Sequence, residues 1–393
     1  MTNNLPNKRK KRILIFSTAY YPFVGGAEVA VKEITDRLAG DFDFDLITAK
    51  LKKGLPDREK LGSVNVYRVG VGSSFLDKIL LPIRGAFLTH RLNKINNYYC
   101  FWGVMVTFGS IAGYIFNFFR SFSFKKKIPI ILTLQEGDSE NHLQYKWGGL
   151  ISLSWKIALW RTDFLTAISN FLLNRAKKNG YKGDCALVPN GVDVSVFSKE
   201  IDQTEKEVLK NKLNKKTQDV FLVTSGRLTH KNGVDDVISA LVNLPTNVSF
   251  IIIGKGEDGQ KLQKQARDLG VSHRVKFIGF VPYSDIPKYF SVSDIFIRAS
   301  RSEGFGNSFI EAMAAKLPVI ATPVGGIVDF IDDRNTGIFC SPDCPQSIVK
   351  SVHLLLEDKN LKDKIILNSY KRVEERYEWT NIASQMKEVF KKI

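Results

Sequence analysis

The sequence predicts an α/β protein with two doubly wound domains. Short apolar runs alternate with stretches in which apolar residues recur at helical spacing, as in an open, mostly parallel sheet. This alternation occurs twice, and the polar stretch Ser198–Asp219 separates the two series. The length of 393 residues suits two domains, and a hydrophobic content of 44% excludes a disordered or fibrous chain.

The first series opens with Ile13–Phe16, an apolar run typical of a buried parallel strand. The loop Ser17–Gly26 follows, and a helix is predicted from Ala27 to Leu38. The D-x-D pattern at Asp43 and Asp45 is interpreted as the entry to a strand and not as a metal–diphosphate site. Further strands are predicted at Phe44–Thr48, Val64–Val69, Cys100–Val106, Ile128–Leu134, Phe164–Ile168 and Ala186–Val188.

The second series resembles the first. Strands are predicted at Val220–Thr224, Val248–Ile253, Val275–Ile278, Ile295–Arg298 and Val319–Ala321, with helices beginning at Val234, Gln260, Ser284 and Asn307. We expect an N-terminal domain at 1–195, a C-terminal domain at 196–375, and a helix at 376–393 that packs back on the first domain. Open α/β sheets bind ligands beyond the carboxyl ends of their strands, so we expect the two domains to face a central cleft.

One uncharged segment could either cross a membrane or lie in the core of the protein. Tyr98–Phe119 has 22 residues without a charge, which meets the length criterion for a membrane span. Its glycines and Asn117 argue against a span, and it divides near Phe108 into a buried strand and an apolar helix. Arg120 and Lys125–Lys127 follow, and apolar surface beside lysines is typical of interfacial helices. We therefore predict a helix that is partly buried and partly in contact with a bilayer.

The charge is unevenly distributed. The chain has 57 Lys and Arg against 40 Asp and Glu; 28 of the basic and 14 of the acidic residues precede Val192, so the halves carry +14 and +3. This asymmetry indicates a membrane surface, nucleic acid or a phosphate-bearing substrate as partner of the first half; the alternative is a merely basic surface. The four cysteines are scattered and no secretory signal precedes the first strand, which favours a cytoplasmic protein.

The most specific motif runs from Glu303 to Glu311 and places two carboxylates eight positions apart. Gly304 and Gly306 leave bare backbone before a predicted helix, whose amides can face an anion or sugar hydroxyls. Carboxylates accept hydrogen bonds from vicinal diols, which both a sugar and a ribose offer. The alternative is one loop acid and one solvated helix acid.

A second motif, Gly226–Gly233, follows a predicted strand and carries Arg227 and Lys231. A guanidinium and an ammonium at the carboxyl end of a strand suit a diphosphate and the negative charge that develops on it when it departs as the leaving group. The alternative is that both are ordinary surface cations. His230 is interpreted as shaping this loop.

Two glycine-rich segments carry weaker signals. Gly25 and Gly26 open the first helix, where amides could contact a phosphate. Gly254–Gly259 reads G-x-G-x-x-G, yet it lies in the wrong half for a dinucleotide fold and lacks an acidic ribose partner downstream. We interpret it as a turn beside a nucleotide site.

With these motifs the chain resembles the family-4 retaining glycosyltransferases (glycosyl transferases group 1), which have the GT-B fold of two Rossmann-like domains. The resemblance covers essentially the whole chain. It rests on Gly25–Glu28, Val188–Asp193, Gly226–Gly233, the Glu303/Glu311 pair and Ala321–Gly326.

The resemblance implies roles for matching positions. Arg227 and Lys231 would hold the donor diphosphate and stabilise the leaving nucleotide, while Glu303 would contact the transferred sugar. Glu311 would bind the nucleotide ribose. Backbone groups would complete the donor site: Gly26 and the amides of Phe305, Gly306, Asn307 and Ser308 for phosphates or sugar hydroxyls, and Phe280-Val281 for the base. No cofactor and no metal are implied, because the two cations neutralise the diphosphate.

The chain departs from the family pattern at one position. Gln135 stands where many members carry a histidine near the sugar, so Glu136 or Asp138 would have to supply any titrating group on the acceptor side. The Arg227-to-Lys231 spacing is also shorter than in many relatives, with Asn232 directly before the glycine.

These observations together predict a metal-independent, retaining, hexosyltransferase-type enzyme that moves a sugar from a nucleotide-diphosphate sugar to a saccharide or lipid-linked acceptor. We expect it in cell-envelope polysaccharide or glycolipid synthesis, in the cytoplasm and peripherally on the inner face of the membrane. Nucleic acid is not expected as a partner. The alternatives are a GT-B nucleotide-sugar epimerase and a non-catalytic nucleotide-sugar-binding module, with a nicotinamide enzyme more remote.

Overall fold

A computed structural model describes residues 10–106, 108–137 and 150–393, and for 150–154 the backbone alone. The chain forms two compact units. The first consists of the chain up to Asn190 together with Trp379–Ile393, and the second of Gly191–Glu378. The polar stretch after Ser198 belongs to the second unit.

The first unit contains an eight-stranded sheet in the order β3-β4-β2-β1-β5-β6-β7-β8. Neighbouring strands are parallel except for β3 and β4, which are antiparallel. The strands are β1 Lys11–Phe16, β2 Phe42–Ala49, β3 Arg58–Leu61, β4 Val64–Val69, β5 Cys100–Val104, β6 Ile130–Leu134, β7 Phe164–Ala167 and β8 Asp184–Leu187. In the described residues before Gly191, the helices are α1 Gly26–Arg37, α2 Leu76–Asn96, α3 Phe108–Phe122, α4 Leu150–Arg161 and α5 Asn170–Lys178.

The centre of this sheet is apolar because helices cover both faces of a parallel sheet. Ile13, Leu14 and Ile15 of β1 are fully buried between β2 and β5. The interpretation of the D-x-D pattern as strand is confirmed, since Asp43 and Asp45 both lie in β2.

The second unit contains a six-stranded, fully parallel sheet in the order β11-β10-β9-β12-β13-β14. Its strands are β9 Val220–Ser225, β10 Val248–Ile253, β11 Val275–Gly279, β12 Ile295–Arg298, β13 Val319–Ala321 and β14 Ile338–Phe339. Its helices are α6 Val194–Phe197, α7 Gln203–Lys212, α8 Val234–Ala240, α9 Gly259–Asp268, α10 Ile286–Ser291, α11 Asn307–Ala314, α12 Pro345–Glu357 and α13 Lys359–Arg376. The helix predicted from Ser284 begins later, at Ile286, because Tyr283–Asp285 forms a 3₁₀ turn.

The uncharged segment divides into a strand and a helix, as predicted. Cys100–Val104 is β5, buried throughout, and the apolar helix is α3. A Cβ at Gly109 would lie 2.7 Å from the carbonyl carbon of Ser17, and one at Gly113 would lie 3.0 Å from the Phe16 ring. These glycines let α3 pack closely on β1 and the loop after it. Among the described residues, no helix combines the length and apolarity needed to cross a membrane.

The final helix, α14 (Trp379–Lys392), completes the core of the first unit. Its apolar positions are buried, among them Trp379 and Phe390. The Phe390 ring lies edge-on to Phe42 and to Trp102, with centroids 5.4 Å apart in each case. A segment distant in sequence therefore closes the apolar face of β2 and β5.

We expect Phe390→Ala to destabilise the first unit by about 3–5 kcal/mol, because it removes a fully buried ring from a packed aromatic cluster. All five tryptophans of the sequence lie in segments of the first unit, so tryptophan fluorescence in a urea titration reports that unit selectively. Gln385→Ala, at an exposed position of the same helix, is the control and should shift stability by less than about 0.5 kcal/mol. Equal midpoints for the two variants would contradict this role of α14.

Candidate active site

The two principal motifs of the second unit meet at the middle of its sheet. β9 carries the Gly226–Gly233 loop, β12 carries the loop that leads to Glu303, and the two strands are neighbours. The order of strands reverses here, since β10 and β11 lie on one side of β9 and β12 to β14 on the other. Such a switch point, at the carboxyl ends of parallel strands, is where open α/β sheets bind ligands.

Arg298, the last residue of β12, ties this edge together. Its Nη2 donates to Glu303 Oε2 at 2.6 Å, and its Nη1 donates to Ser308 Oγ at 2.7 Å and to the Ser225 carbonyl at 3.0 Å. The guanidinium is buried, so it needs this complete set of acceptors. Arg298 thereby fixes the Glu303 carboxylate relative to β9 and the start of α11. Sequence reasoning missed this residue, although a charge ending the apolar run from Ile295 was a usable signal.

The backbone of Glu303 is held by the glycines of the Ala321–Gly326 motif. The Gly326 amide donates to the Glu303 carbonyl at 3.1 Å. A Cβ at Gly325, whose φ is +58°, would lie 1.8 Å from that same oxygen. Only glycine permits this approach. The motif therefore positions the loop that carries Glu303.

Helix α11 begins beside this loop, with Gly306 at its N-cap in a left-handed conformation (φ +98°). The Phe305 ring is buried against Phe330 and Tyr377, with centroids 5.1 and 5.7 Å away. Its side chain is a core anchor, and the backbone is the part of this residue suited to a ligand. Asn307 is half-buried, and the buried Ser308 hydroxyl accepts from Arg298.

Glu311 lies in the second turn of α11 and is 8% exposed, so the alternative of a solvated helix acid is wrong. Burial raises the pKa of Glu311 to about 7, opposed in part by the charge of Arg298 and a hydrogen bond from the Tyr283 hydroxyl. This bond also joins the loop after β11 to α11, and the predicted base-contacting Val281 lies in that loop. Val281 is half-buried, whereas Phe280 is 74% exposed.

Hydrogen bonds from Arg301 hold the backbone of the loop that carries Arg227 and Lys231. The Arg301 amide donates to the Lys231 carbonyl at 2.7 Å, and its Nη1 donates to the His230 carbonyl at 2.8 Å. The Arg301 guanidinium in turn pairs with Asp235 and Asp236 at 2.8 Å each. Sequence reasoning missed Arg301, because its partners are backbone atoms and acids far along the chain.

Asn232 and Gly233 give this loop its shape. Asn232 is buried, and its Nδ2 donates to the Arg227 carbonyl, closing the 3₁₀ turn His230–Asn232. Gly233 has φ +62°, and a Cβ there would lie 1.8 Å from the Ala299 carbonyl. Arg227 itself is exposed and Lys231 is half-buried. The G-x-G-x-x-G turn packs against the same loop, since a Cβ at Gly256 would lie 2.1 Å from the Leu228 carbonyl.

The remaining predicted positions lie in the first unit. Gly26 is the first residue of α1, and the Gly25 amide donates to Glu28 Oε2 at 2.8 Å. Gln135 and Glu136 follow β6. The Glu136 carboxylate is buried and accepts from the amides of Val106 and Gln135, so it braces the loop. Asp138 lies outside the described residues.

Comparison with known proteins places the chain in a family. Residues 205–372 match the family model described as glycosyl transferases group 1, and residues 24–196 match glycosyltransferase family 4. An uncharacterized glycosyltransferase of Methanocaldococcus jannaschii is 25% identical over 98% of this chain and 99% of its own length. The alpha-monoglucosyldiacylglycerol synthase of Acholeplasma laidlawii is 29% identical over 40% of this chain and 41% of its own length.

The crystal structure of Anabaena HepE in complex with UDP and glucose is similar over 98% of this chain and 100% of that one, with a TM-score of 0.79 and 20% identity. At this identity the similarity establishes the fold. Two mostly parallel sheets, one in each unit, and a family match in each half lead to the same conclusion: the chain belongs to the group 1, family-4 glycosyltransferases and has the GT-B fold.

Proposed function

We propose that this protein is a retaining glycosyltransferase that moves a sugar from a nucleotide-diphosphate sugar to a saccharide or lipid-linked acceptor of the cell envelope. The observation that carries the proposal is the Arg298–Glu303 ion pair at the switch point, with Glu311 on the adjoining helix and the Arg227–Lys231 loop on the neighbouring strand. The UDP and glucose bound to HepE and the glycolipid named for the Acholeplasma enzyme support the donor and acceptor classes.

In this proposal Arg227 and Lys231 bind the donor diphosphate. Both lie just beyond the carboxyl end of β9, and the backbone between them is braced by Arg301. Two cations carried on this braced backbone stabilise the charge on the departing nucleotide without a bound metal. Glu303, oriented by Arg298, accepts hydrogen bonds from hydroxyls of the transferred sugar. Backbone amides at the start of α11, from Phe305 to Ser308, complete the part of the donor site that the second unit supplies.

The acceptor hydroxyl attacks the anomeric carbon from the face that the nucleotide leaves. A bond forms between the acceptor oxygen and this carbon while the bond to the diphosphate oxygen breaks. The proton of the acceptor hydroxyl passes to the departing phosphate oxygen. This route needs no titrating side chain on the acceptor side, which agrees with Gln135 in that loop and with Glu136 occupied by backbone amides.

We expect the purified protein to convert an α-linked nucleotide sugar and an acceptor into an α-linked product, as judged by the anomeric proton in NMR. Treatment with EDTA should leave the rate unchanged, because Arg227 and Lys231 neutralise the diphosphate. A β-linked product would overturn retention, and loss of activity restored by a divalent cation would overturn metal independence. Donor incubated alone should keep its sugar configuration; isomerisation would instead indicate an epimerase.

We expect Arg227→Ala and Lys231→Ala each to lower kcat about 10²- to 10³-fold, because each removes a cation that stabilises the leaving diphosphate. Lys261→Ala, at an exposed position of α9 in the same unit, is the matched control and should change kcat less than about twofold. Steady-state kinetics with varied donor measure both. If Arg227→Ala and Lys231→Ala retained full kcat, the diphosphate role would be wrong.

Glu311 makes donor binding sensitive to pH. The ribose hydroxyls donate to its carboxylate, so the ionised form binds the donor better, and with a pKa of about 7 this form is lost as the pH falls. We expect KM for the donor to rise up to about tenfold from one pH unit above this pKa to one unit below it. Glu311→Gln, similar in shape and always neutral, should show a high KM that no longer depends on pH. An unaltered pH profile in Glu311→Gln would disprove the assignment.

A further inference from the structure

The end of α3 carries an exposed cluster of phenylalanines. Phe118, Phe119 and Phe122 are 46%, 64% and 68% exposed, and Phe124 just after the helix is 100% exposed. The Phe118 ring lies 5.7 Å from that of Phe119 and 5.0 Å from that of Phe122, so these side chains form one patch. Single exposed apolar residues are ordinary, whereas a contiguous patch indicates a binding surface.

The chain around this patch is held in a defined shape. The buried side chain of Asn117 bonds the backbone of Ile128 twice, donating to its carbonyl at 2.7 Å and accepting from its amide at 3.2 Å. Between Asn117 and Ile128, Arg120 Nε donates to the Lys126 carbonyl at 2.8 Å. The phenylalanines are therefore presented by the braced end of α3 and the turn after it, and their exposure is a property of the folded unit.

A strongly basic pocket of about 530 Å³ lies next to this end of α3. Six cationic side chains line it: Lys10, Lys11, Arg12, Arg120, Lys126 and Lys127. Asp43 is the one acidic side chain among the lining residues, and it pairs with Arg12 at 3.0 Å. The pocket therefore has a large excess of positive charge, which favours an anion.

The pocket lies at the amino end of the first unit's strands. Lys11 opens β1, and Pro129, another lining residue, directly precedes β6. The predicted acceptor-side residues Gln135 and Glu136 follow β6 at its carboxyl end. Ligands of open α/β sheets bind at the carboxyl ends of the strands, so this pocket is separate from the proposed substrate machinery.

We propose that the phenylalanine patch and the basic pocket together dock this protein on a bilayer that contains anionic phospholipid. The phenylalanines enter the boundary between headgroups and acyl chains, while phospholipid phosphates meet the cations of the pocket. Peripheral attachment needs two signals of this kind, one apolar and one electrostatic. A soluble phosphate would use the cations alone and leave the apolar patch without a role. The surface rests on the proposed function, because it would bring the enzyme to a membrane that holds a lipid-linked acceptor, and its binding to lipid does not depend on catalysis.

The test is sedimentation of the full chain with vesicles of phosphatidylcholine alone and with vesicles of equal parts phosphatidylcholine and phosphatidylglycerol. We expect binding to the anionic vesicles only, and weaker binding at high salt because the Debye length shrinks from about 10 Å at 0.1 M to about 3 Å at 1 M. The double variants Phe119→Ser/Phe122→Ser and Lys126→Glu/Lys127→Glu should each weaken binding about tenfold or more.

Matched controls come from the same unit. Val24→Ser/Val71→Ser removes exposed apolar side chains, 56% and 60% exposed, from the loops that follow β1 and β4, at the strand ends opposite the basic pocket. Lys52→Glu/Lys53→Glu changes the charge equally at exposed positions after β2. Both should bind anionic vesicles within about twofold of the unaltered protein. All substituted positions are exposed, and unchanged melting temperatures establish that each variant is folded.

Three results would overturn the docking surface: vesicle binding that survives both the phenylalanine and the lysine double variants, control variants that lose as much binding as these two, or binding of glycerol phosphate or inorganic phosphate as tight as that of vesicles. The last would make the pocket a site for a soluble anion. Transfer to a soluble acceptor is measured in parallel and should be unchanged in Lys126→Glu/Lys127→Glu. Failure of the glycosyltransferase proposal would instead abolish transfer in every variant without affecting vesicle binding.

Discussion

The hydrogen bonds of one buried guanidinium organise the candidate active site. Arg298 ends the central strand β12 and bonds Glu303, Ser308 and the Ser225 carbonyl at once. A buried cation is tolerated only when its donors are matched, so the loop, the helix start and the end of β9 must all adopt the observed arrangement for Arg298 to remain there. Loss of any one partner would leave a buried charge incompletely solvated. The geometry of Glu303 is therefore coupled to the packing of the whole sheet edge.

Close backbone contacts supply the second constraint on this edge. Gly233 and Gly325 both have positive φ, and each allows a carbonyl oxygen to approach within 1.8 Å of where a Cβ would stand. Gly233 brings the Arg227 loop against the end of β12, and Gly325 brings the Ala321–Gly326 turn against Glu303. The glycines of these motifs, which resemble ligand-binding sequences, thus determine how closely the backbone segments pack. They bring loops together, and the side chains that meet a ligand are carried by those loops.

Local patterns predicted the strands well because buried parallel strands are short apolar runs wherever they occur. Val64–Val69 and Ile295–Arg298 have the same bounds in the sequence prediction and in the structure. The bracing roles of Arg298 and Arg301 were not predictable, since their partners lie up to 73 residues away and are in part backbone atoms. Glu136 illustrates the same limit: its position suggested chemistry, but its carboxylate accepts hydrogen bonds from the amide of the adjacent Gln135 and from that of Val106, 30 residues earlier. The burial that raises the pKa of Glu311 likewise arises from tertiary packing.

The partners of individual cations explain part of the difference in charge between the two halves of the chain. In the second unit Arg298 and Arg301 are largely buried, and both pair with carboxylates that neutralise their charge. Arg227, in contrast, is exposed beyond the end of β9. In the first unit the cations at the amino end of the sheet face one lining carboxylate, and they lie beside phenylalanines that a purely soluble surface would not favour. Net charge alone suggested an anionic partner without locating it. The lining of the basic pocket locates six of these cations at the strand ends opposite those that carry Gln135, so the proposed attachment surface and the predicted acceptor side lie at opposite ends of one sheet.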